Sequence, residues 1–343
     1  MRAWTTSAVI LCAVLLGACG DGGAASDVAG GPGSGDDAPA RREPVVYAGS
    51  NWFGHAPAWV GIEQGIFAAA GFDVEARAFG SSPNRVTALE NGSAQIASLG
   101  EVAMLEAMSE GRRDFYWIGN QDIAPGAEGL VAIGIDRIED LRGKKIAVNV
   151  NTSVHVTAYE LLKGAGLDLK TDVVVLRGDD SAIVDLVRSG EAQAGIIWEP
   201  FYTQLRELPG AVVLGTDMDT SIYERFKTMT GPDVVCASKA WVDADPARAK
   251  RLIRAYFDAV RWCREHPDEL IALIARHVGQ EEANVRPVLA NFKWLVLADQ
   301  PLVMSDAMLF GQAQAASEIL VDMGLAKRVP DFRKWTRPDL LTD

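Results

Sequence analysis

Short β-branched runs alternate with apolar series of helical period as far as Ala237, and beyond that point the helical series dominates. Residues 45–48 form the first run, a strand by period and composition. From Ala56 onward Trp59, Val60, Ile62, Ile66 and Phe67 recur at helical spacing until Gly71 stops them, and a second strand follows to Phe79. The same alternation predicts strands over 94–99, 115–118, 130–135, 146–150, 173–176, 194–197 and 234–237, with helices over 101–109, 154–163 and 182–188. Asp245-Pro246 opens the helical remainder, whose apolar positions run through Leu252, Tyr256, Val260 and Leu270 and again over 308–323. Strands separated by helices build mostly parallel sheets, so the pattern predicts an α/β fold with a helical C-terminal tail.

Between the first strand and first helix, Asn51, Trp52, Phe53, Gly54 and His55 place two bulky aromatics and an imidazole at a strand end, with Pro57 suited to the first helical turn. Loops at the carboxyl ends of strands are where open α/β sheets bind ligands, because helix amino termini there offer unpaired N–H groups. The loop also belongs to a faint duplication. Asn51, His55, Ala58 and Trp59 recur a hundred residues later as Asn151, His155, Ala158 and Tyr159. Ala70-Gly71-Phe72-Asp73-Val74 is echoed by Ala165-Gly166-Leu167-Asp168-Leu169, and Asn91-Gly92-Ser93-Ala94-Gln95 by Ser189-Gly190-Glu191-Ala192-Gln193. Three echoes in one order predict two lobes of like topology whose strand-end loops face a shared, hinged cleft.

Composition adds a compartment and removes one class of partner. The 343 residues, 48% hydrophobic and 23% charged, suffice for two lobes of roughly 150 residues each. A net charge of −13 without any long basic cluster excludes nucleic acid, whose phosphates need Lys and Arg. At the amino terminus, Arg2 precedes an apolar run over 8–16 that is too short to span a membrane and suits a secretory signal. The run closes on Leu16-Gly17-Ala18-Cys19, which resembles the bacterial lipoprotein signal. Residues 1–18 are therefore expected to be removed and Cys19 to be acylated. Residues 19–43 then form a Gly, Ala, Ser and Asp-rich tether from a lipid anchor outside the cytoplasmic membrane, in the periplasm or at the cell surface. Cys12 leaves with the signal; Cys236 and Cys263 are expected as separate buried thiols, although an oxidising compartment permits a bond between them.

Four further phrases matter together: Gly65-Ile66-Phe67 ahead of Ala70-Gly71-Phe72-Asp73-Val74; Leu89-Glu90-Asn91-Gly92; Asp140-Leu141-Arg142-Gly143-Lys144-Lys145-Ile146-Ala147-Val148; and Ile197-Trp198-Glu199-Pro200-Phe201, the most specific of them. In this order, and over nearly all of the mature chain, they resemble the solute-binding proteins of bacterial ABC importers, in particular the group for nitrate, sulfonates, taurine and thiamine precursors. The resemblance implies a two-lobed periplasmic-binding-protein-like fold. Residues 44–132 would form lobe 1, 133–233 lobe 2, and 234–343 a return to lobe 1 with the helical tail, while 130–136 and 233–241 pass between lobes. It implies a small-molecule solute, an ABC permease and its ATPase as partners, a monomer, no cofactor and no catalytic residue.

Carried over by position, the family's cleft loops nominate Asn51, Trp52, His55, Ser81, Ser98, Glu101, Thr152, Ser153, His155, Trp198, Glu199 and Asp233 as ligand-binding residues. Trp52 and Trp198 suit a sandwich around a planar or methylene-bearing solute, or equally the core. Thr152 and Ser153 precede a helix, where hydroxyls cap it or share an anionic oxygen with its N–H groups. The chain departs from the sulfonate and nitrate pattern in Glu101, Glu199 and Asp233. If two of these carboxylates face the cleft they need a positive group on the solute, which favours a zwitterion such as an amino-sulfonate, or an amine-bearing heterocycle. His55 and His155 fit no metal spacing, and His266 and His277 lie in the tail, so no metal is expected.

Two other readings share the scaffold. Enzymes that make a thiamine pyrimidine precursor or desulfinate an aromatic sulfinate need a reactive Cys or a sacrificial His in the cleft, for which His55 is the candidate here. No Gly-x-Ser-x-Gly, phosphate loop or His-Glu-x-x-His occurs. A ligand-sensing receptor without transport is the third reading, and a lipid-anchored, exported chain favours capture over chemistry.

Overall fold

The structure, a computed structural model, describes residues 41–342. Cys19 and the expected signal and most of the tether therefore lie outside the described residues. In chain order the strands are β1 (Glu43–Gly49), β2 (Phe72–Ala78), β3 (Ile96–Gly100), β4 (Phe115–Asn120), β5 (Asp122–Ile123), β6 (Glu128–Ile133), β7 (Lys145–Val148), β8 (Val174–Arg177), β9 (Ala194–Trp198), β10 (Ala211–Thr216), β11 (Asp233–Ser238) and β12 (Lys293–Trp294).

Ten of these make two sheets of one topology. The first runs β2-β1-β3-β11-β4 and the second β8-β7-β9-β6-β10. In each, the first three strands are parallel, and the fourth is antiparallel to both its neighbours. The fourth strand is in each case out of sequence order. β6 precedes the rest of its sheet in sequence, and β11 follows the whole second sheet, so the chain passes between sheets twice, over 121–127 and 217–232. The strands expected to make these passages do not make them: β6 lies wholly in the second sheet and β11 wholly in the first, and a lobe boundary at 132/133 falls inside β6. β10, an edge strand with Val213 exposed, was not among the expected strands.

The sequence echoes are echoes of geometry. The Gln95 side chain accepts a hydrogen bond from the Val46 N–H at 2.8 Å and donates to the Gly92 carbonyl at 3.0 Å. Gln193 accepts from the Lys145 N–H at 3.1 Å and donates to the Gly190 carbonyl at 3.3 Å. Gly92 and Gly190 both turn at φ 78°, a conformation that costs other residues strain. Each Gln thus clamps the turn ahead of its own strand to the second strand in the order of its sheet.

The tail packs as the apolar period foretells. Asp245 caps the helix Pro246–Glu265 by accepting from the Arg248 N–H at 2.9 Å, and Ala249, Leu252, Ile253, Tyr256, Phe257, Val260 and Cys263 are buried along one face. That face shares a core with Val45, Tyr47 and Phe72 of the first sheet. β12 pairs with β5, which pins the tail to the first passage between sheets. Cys236 and Cys263 are separate buried thiols. Among the described residues no helix is long and apolar enough to cross a membrane.

If the two clamps are equivalent, Gln95→Ala and Gln193→Ala should each lower stability by about 0.5–1.5 kcal/mol, with the larger loss at the better-shielded Gln95. In different sheets, their effects should add within about 0.5 kcal/mol in urea unfolding. A non-additive pair would deny the independence of the two turns.

Candidate functional site

A cavity of about 680 Å³ opens between the strand ends of the two sheets. Of the residues nominated from sequence, Asn51, Trp52, His55, Ser81, Thr152, Ser153, Trp198, Glu199 and Asp233 line it. Ser98, Glu101 and His155 do not. Arg85, Glu128, Asp179, Asp180 and Gln204 line it too and were missed. Their helices gave a signal: both Ser81 and Asp179 stand at the N-cap of a nine-residue helix that follows the second strand of its lobe.

The three exclusions have plain causes. On β3, Ser98 points away from the cavity into the core, where its hydroxyl meets Tyr256 Oη at 2.8 Å and Gln121 Oε1 at 3.0 Å. Glu101 begins the helix Glu101–Glu110 on the face that turns inward; it is fully buried, and neither carboxylate oxygen has a hydrogen-bond partner. Burial pushes its carboxyl up to about 8, an effect that Gln312, near but out of hydrogen-bonding geometry, reduces slightly. His155 is held by its own loop, its Nδ1 accepting from the Asn151 N–H at 3.2 Å.

His55 is held in the same way, with Nδ1 accepting from the Ser50 N–H at 2.8 Å. A backbone N–H can only donate, so in both rings Nδ1 is bare and the proton sits on Nε2. Burial lowers the pKa of both, that of His155 to about 4. Each is a neutral brace for a strand-end loop, the physical content of the Asn-His echo. Only His55 then meets an acid, its Nε2 lying 3.6 Å from Asp233 Oδ2.

The cleft's two walls differ in chemistry. In the first lobe Arg85, 6% exposed, donates to Ser82 Oγ at 2.6 Å and the Phe79 carbonyl at 3.2 Å, and among the described residues it forms no ion pair. Its Nε has no partner. In the second lobe Thr152 donates to the Asn149 carbonyl at 2.6 Å and Ser153 to Glu128 Oε2 at 2.6 Å, so both hydroxyls turn lone pairs, not protons, to the cavity. Asp180, raised by burial and by Asp179, stands near enough to feel Arg85 across the cleft. Glu199 lines the cavity but is committed elsewhere: it accepts from the Thr203 N–H and hydroxyl, both at 2.9 Å, and from Arg206 at 3.0 Å. It caps the helix Phe201–Arg206 rather than waiting for a solute. Trp52 stands beside Phe292 at 5.6 Å, and Trp198 ends β9, so both indoles reach the cavity.

Glu101 makes the stability depend on pH. Its folded pKa of about 8 exceeds the unfolded value of about 4.3, so its contribution is complete in acid and is lost as pH rises through 8. Glu101→Gln should remove that loss, and its melting temperature should gain on the parent's between about pH 5 and 8, then run level. A constant difference across pH 5–9 would mean that Glu101 does not carry the proton.

Comparison with known proteins agrees with this architecture. A family model described as NMT1/THI5 like matches residues 52–270. A Brucella abortus (strain 2308) protein designated only a binding protein is 26% identical over 308 residues, covering 90% of this chain and 92% of its own. The taurine-binding periplasmic protein of Escherichia coli (strain K12) is 27% identical over 251 residues, 71% of this chain and 76% of its own. Among solved structures, the periplasmic aliphatic sulphonate binding protein SsuA from Escherichia coli superposes with TM-score 0.67 at 20% identity, over 87% of this chain and 99% of that one. The desulfurization enzyme DSZB superposes with TM-score 0.66 at 17% identity, over 88% and 98%. The fold is thus shared by binding proteins and an enzyme, and the chain belongs to the NMT1/THI5-like family.

Proposed function

We propose that this protein is the extracytoplasmic solute-binding component of an ABC importer and captures a small zwitterionic or amine-bearing, sulfonate-like molecule between its two lobes. The observation that carries the reading is the cavity itself, with a buried guanidinium that has no ion pair among the described residues on one wall, and on the other the Asp179 and Asp180 carboxylates beside hydroxyls whose lone pairs face the cavity. Such a site is short of an anion at Arg85 and of a cation elsewhere, and one solute bearing both charges supplies each. The binding-protein relatives support capture, and the taurine- and sulphonate-binding proteins among them support the solute class. Permease and ATPase partners, a monomeric state and an anchor at Cys19 belong to the same proposal.

The enzyme reading is weaker on geometry. Ser50 Oγ lies 3.1 Å from His55 Nδ1 and Asp233 lies beyond Nε2, an outline of a nucleophile, base and acid. The Nδ1 lone pair, however, is already engaged by the Ser50 N–H, and burial depresses the ring's basicity. The same brace recurs at His155, where Asn151 supplies the backbone N–H and the ring is again a weak base. A feature repeated in both lobes as loop architecture is a poor candidate for chemistry in one. Cys236, pushed far up by burial beside Met104, is no thiolate nucleophile.

The bound solute should stabilise the fold by about 2.7 kcal/mol at a hundred times its dissociation constant, read as a raised melting temperature in a screen of sulfonates, amines and pyrimidines. It should be recovered chemically unchanged. Alteration at a rate proportional to protein would replace this reading with the enzymatic one.

For the anchor, Cys19 in the membrane fraction should carry diacylglycerol by mass spectrometry, and Cys19→Ser should release the processed protein. A Cys19→Ser protein still held at the membrane after signal removal would sink the lipoprotein proposal.

A further inference from the structure

Two acids meet behind the cavity floor without a counter-charge. Asp233, the first residue of β11, lines the cavity, while its Oδ2 turns inward with no hydrogen-bond partner. Asp122, in the first passage between sheets, is fully buried, and neither of its oxygens has a partner. The two converge on Gly54, where an added Cβ would stand 2.7 Å from Asp122 Oδ2 and 2.8 Å from Asp233 Oδ2, and 2.4 Å from the Trp52 indole nitrogen. Glycine is needed there because the acids take its side-chain space. His55 Nε2, also buried and without a hydrogen-bond partner, points its proton toward the same Asp233 oxygen at 3.6 Å.

Burial and the neighbouring Asp233 carboxylate push Asp122 well above the ordinary carboxylate range. That direction favours the neutral form of Asp122. No Lys or Arg pairs with either acid, and Arg85, which feels Asp233 before any other acid, does so from beyond ion-pair distance. Among the described residues no three potential ligands stand close enough to hold a metal ion. What remains to balance Asp233 is a cation that arrives through the cavity, which Trp52 also lines.

We propose that Asp233, backed by Asp122 and His55 and flanked by Trp52, is the subsite that selects a protonated amine on the solute, while Arg85 holds its anionic end. The proposal rests on the solute-binding reading and adds to it the residue that tells an ammonium from a hydroxyl. Both groups can hydrogen-bond; only the ammonium brings the charge that a buried carboxylate lacks.

The test is calorimetry on the purified protein with matched probes: taurine against 2-hydroxyethanesulfonate, and 3-aminopropanesulfonate against 3-hydroxypropanesulfonate. The amino member of at least one pair should bind roughly tenfold to over a hundredfold tighter, the span of one charge-assisted hydrogen bond. Asp233→Asn should bring that ratio near one. Asp122→Asn, which exchanges a neutral acid for a neutral amide, should keep it, and Arg85→Gln should weaken both members of a pair alike. The parent's ratio needs no variant to fold. A parent ratio near one, a ratio that survives Asp233→Asn, or binding of neither series overturns the subsite. Mass spectrometry of what the natively purified protein releases on denaturation separates the two levels. A released solute without an amine overturns the subsite and leaves the solute-binding reading standing, whereas a protein that carries nothing and is stabilised by no solute class removes both.

Discussion

In each sheet the fourth strand stands out of sequence order, and nearly everything else about the site follows from that arrangement. β11 must return from beyond the second sheet to lie between β3 and β4, while β6, first of the second sheet in sequence, lies fourth in it between β9 and β10. Two connections, 121–127 and 217–232, therefore tie the lobes side by side and keep their strand ends facing one cavity. A single linker would leave the lobes free to swivel; two restrict them to hinge-like motion. The ends of both connections carry buried acids. Asp122 and Asp233 converge on the first-lobe side, while on the second-lobe side Glu128 and Asp217 interact, with Asp217 raised to about 8 by burial first and Glu128 second. Glu128 is satisfied by three hydroxyls, from Ser153, Thr157 and Thr230. The contrast is informative: the Glu128 environment is a finished structural network, whereas the Asp122 and Asp233 environment is an unfinished one.

The fold was legible wherever a local rule acts alone. Alternation of strand and helix, the Pro-led starts at Pro57 and Pro246, and the paired turns at Gly92 and Gly190 depend on residues near in sequence. The passages between sheets were placed too late because β6 and β11 read as ordinary strands. Which sheet a strand joins is decided by partners about a hundred residues distant, and no local pattern encodes that. β10 was overlooked although Ala211-Val212-Val213-Leu214 is an apolar run of strand composition.

The site was less legible than the fold because lining a cavity depends on the direction of each side chain. Ser98 and Glu101 sit in the right loop and face the wrong way, and Glu199 faces the right way with its oxygens already taken. Arg85 was passed over as one charged residue in a polar helix. Its significance comes from burial combined with the lack of any ion pair among the described residues, and neither can be read before folding. His55 and His155 were both nominated as ligand-binding residues; each ring spends its Nδ1 on a strand-end loop, and only His55 also lines the cavity.

The duplication also explains why the two walls of the cavity are chemically opposed. The spacing that aligns Gln95 with Gln193 aligns Ser81 and Ser82 with Asp179 and Asp180, and Arg85 with Ile183. One helix start is thus hydroxyl-lined with a guanidinium one turn on, and its counterpart carries two carboxylates with an apolar residue one turn on. Equal scaffolds with unequal charge do two things that identical ones cannot. They attract across the gap, as the mutual influence of Arg85 and Asp180 records, so approach of the lobes is favoured by the walls as well as by the solute. They also give the cavity a direction, so that a solute with two unlike ends has one favourable way to lie. A symmetric pair of lobes would bind such a molecule in either orientation and discriminate less. Divergence at the helix starts, with the turns and braces left alike, changes specificity without disturbing the fold that presents it.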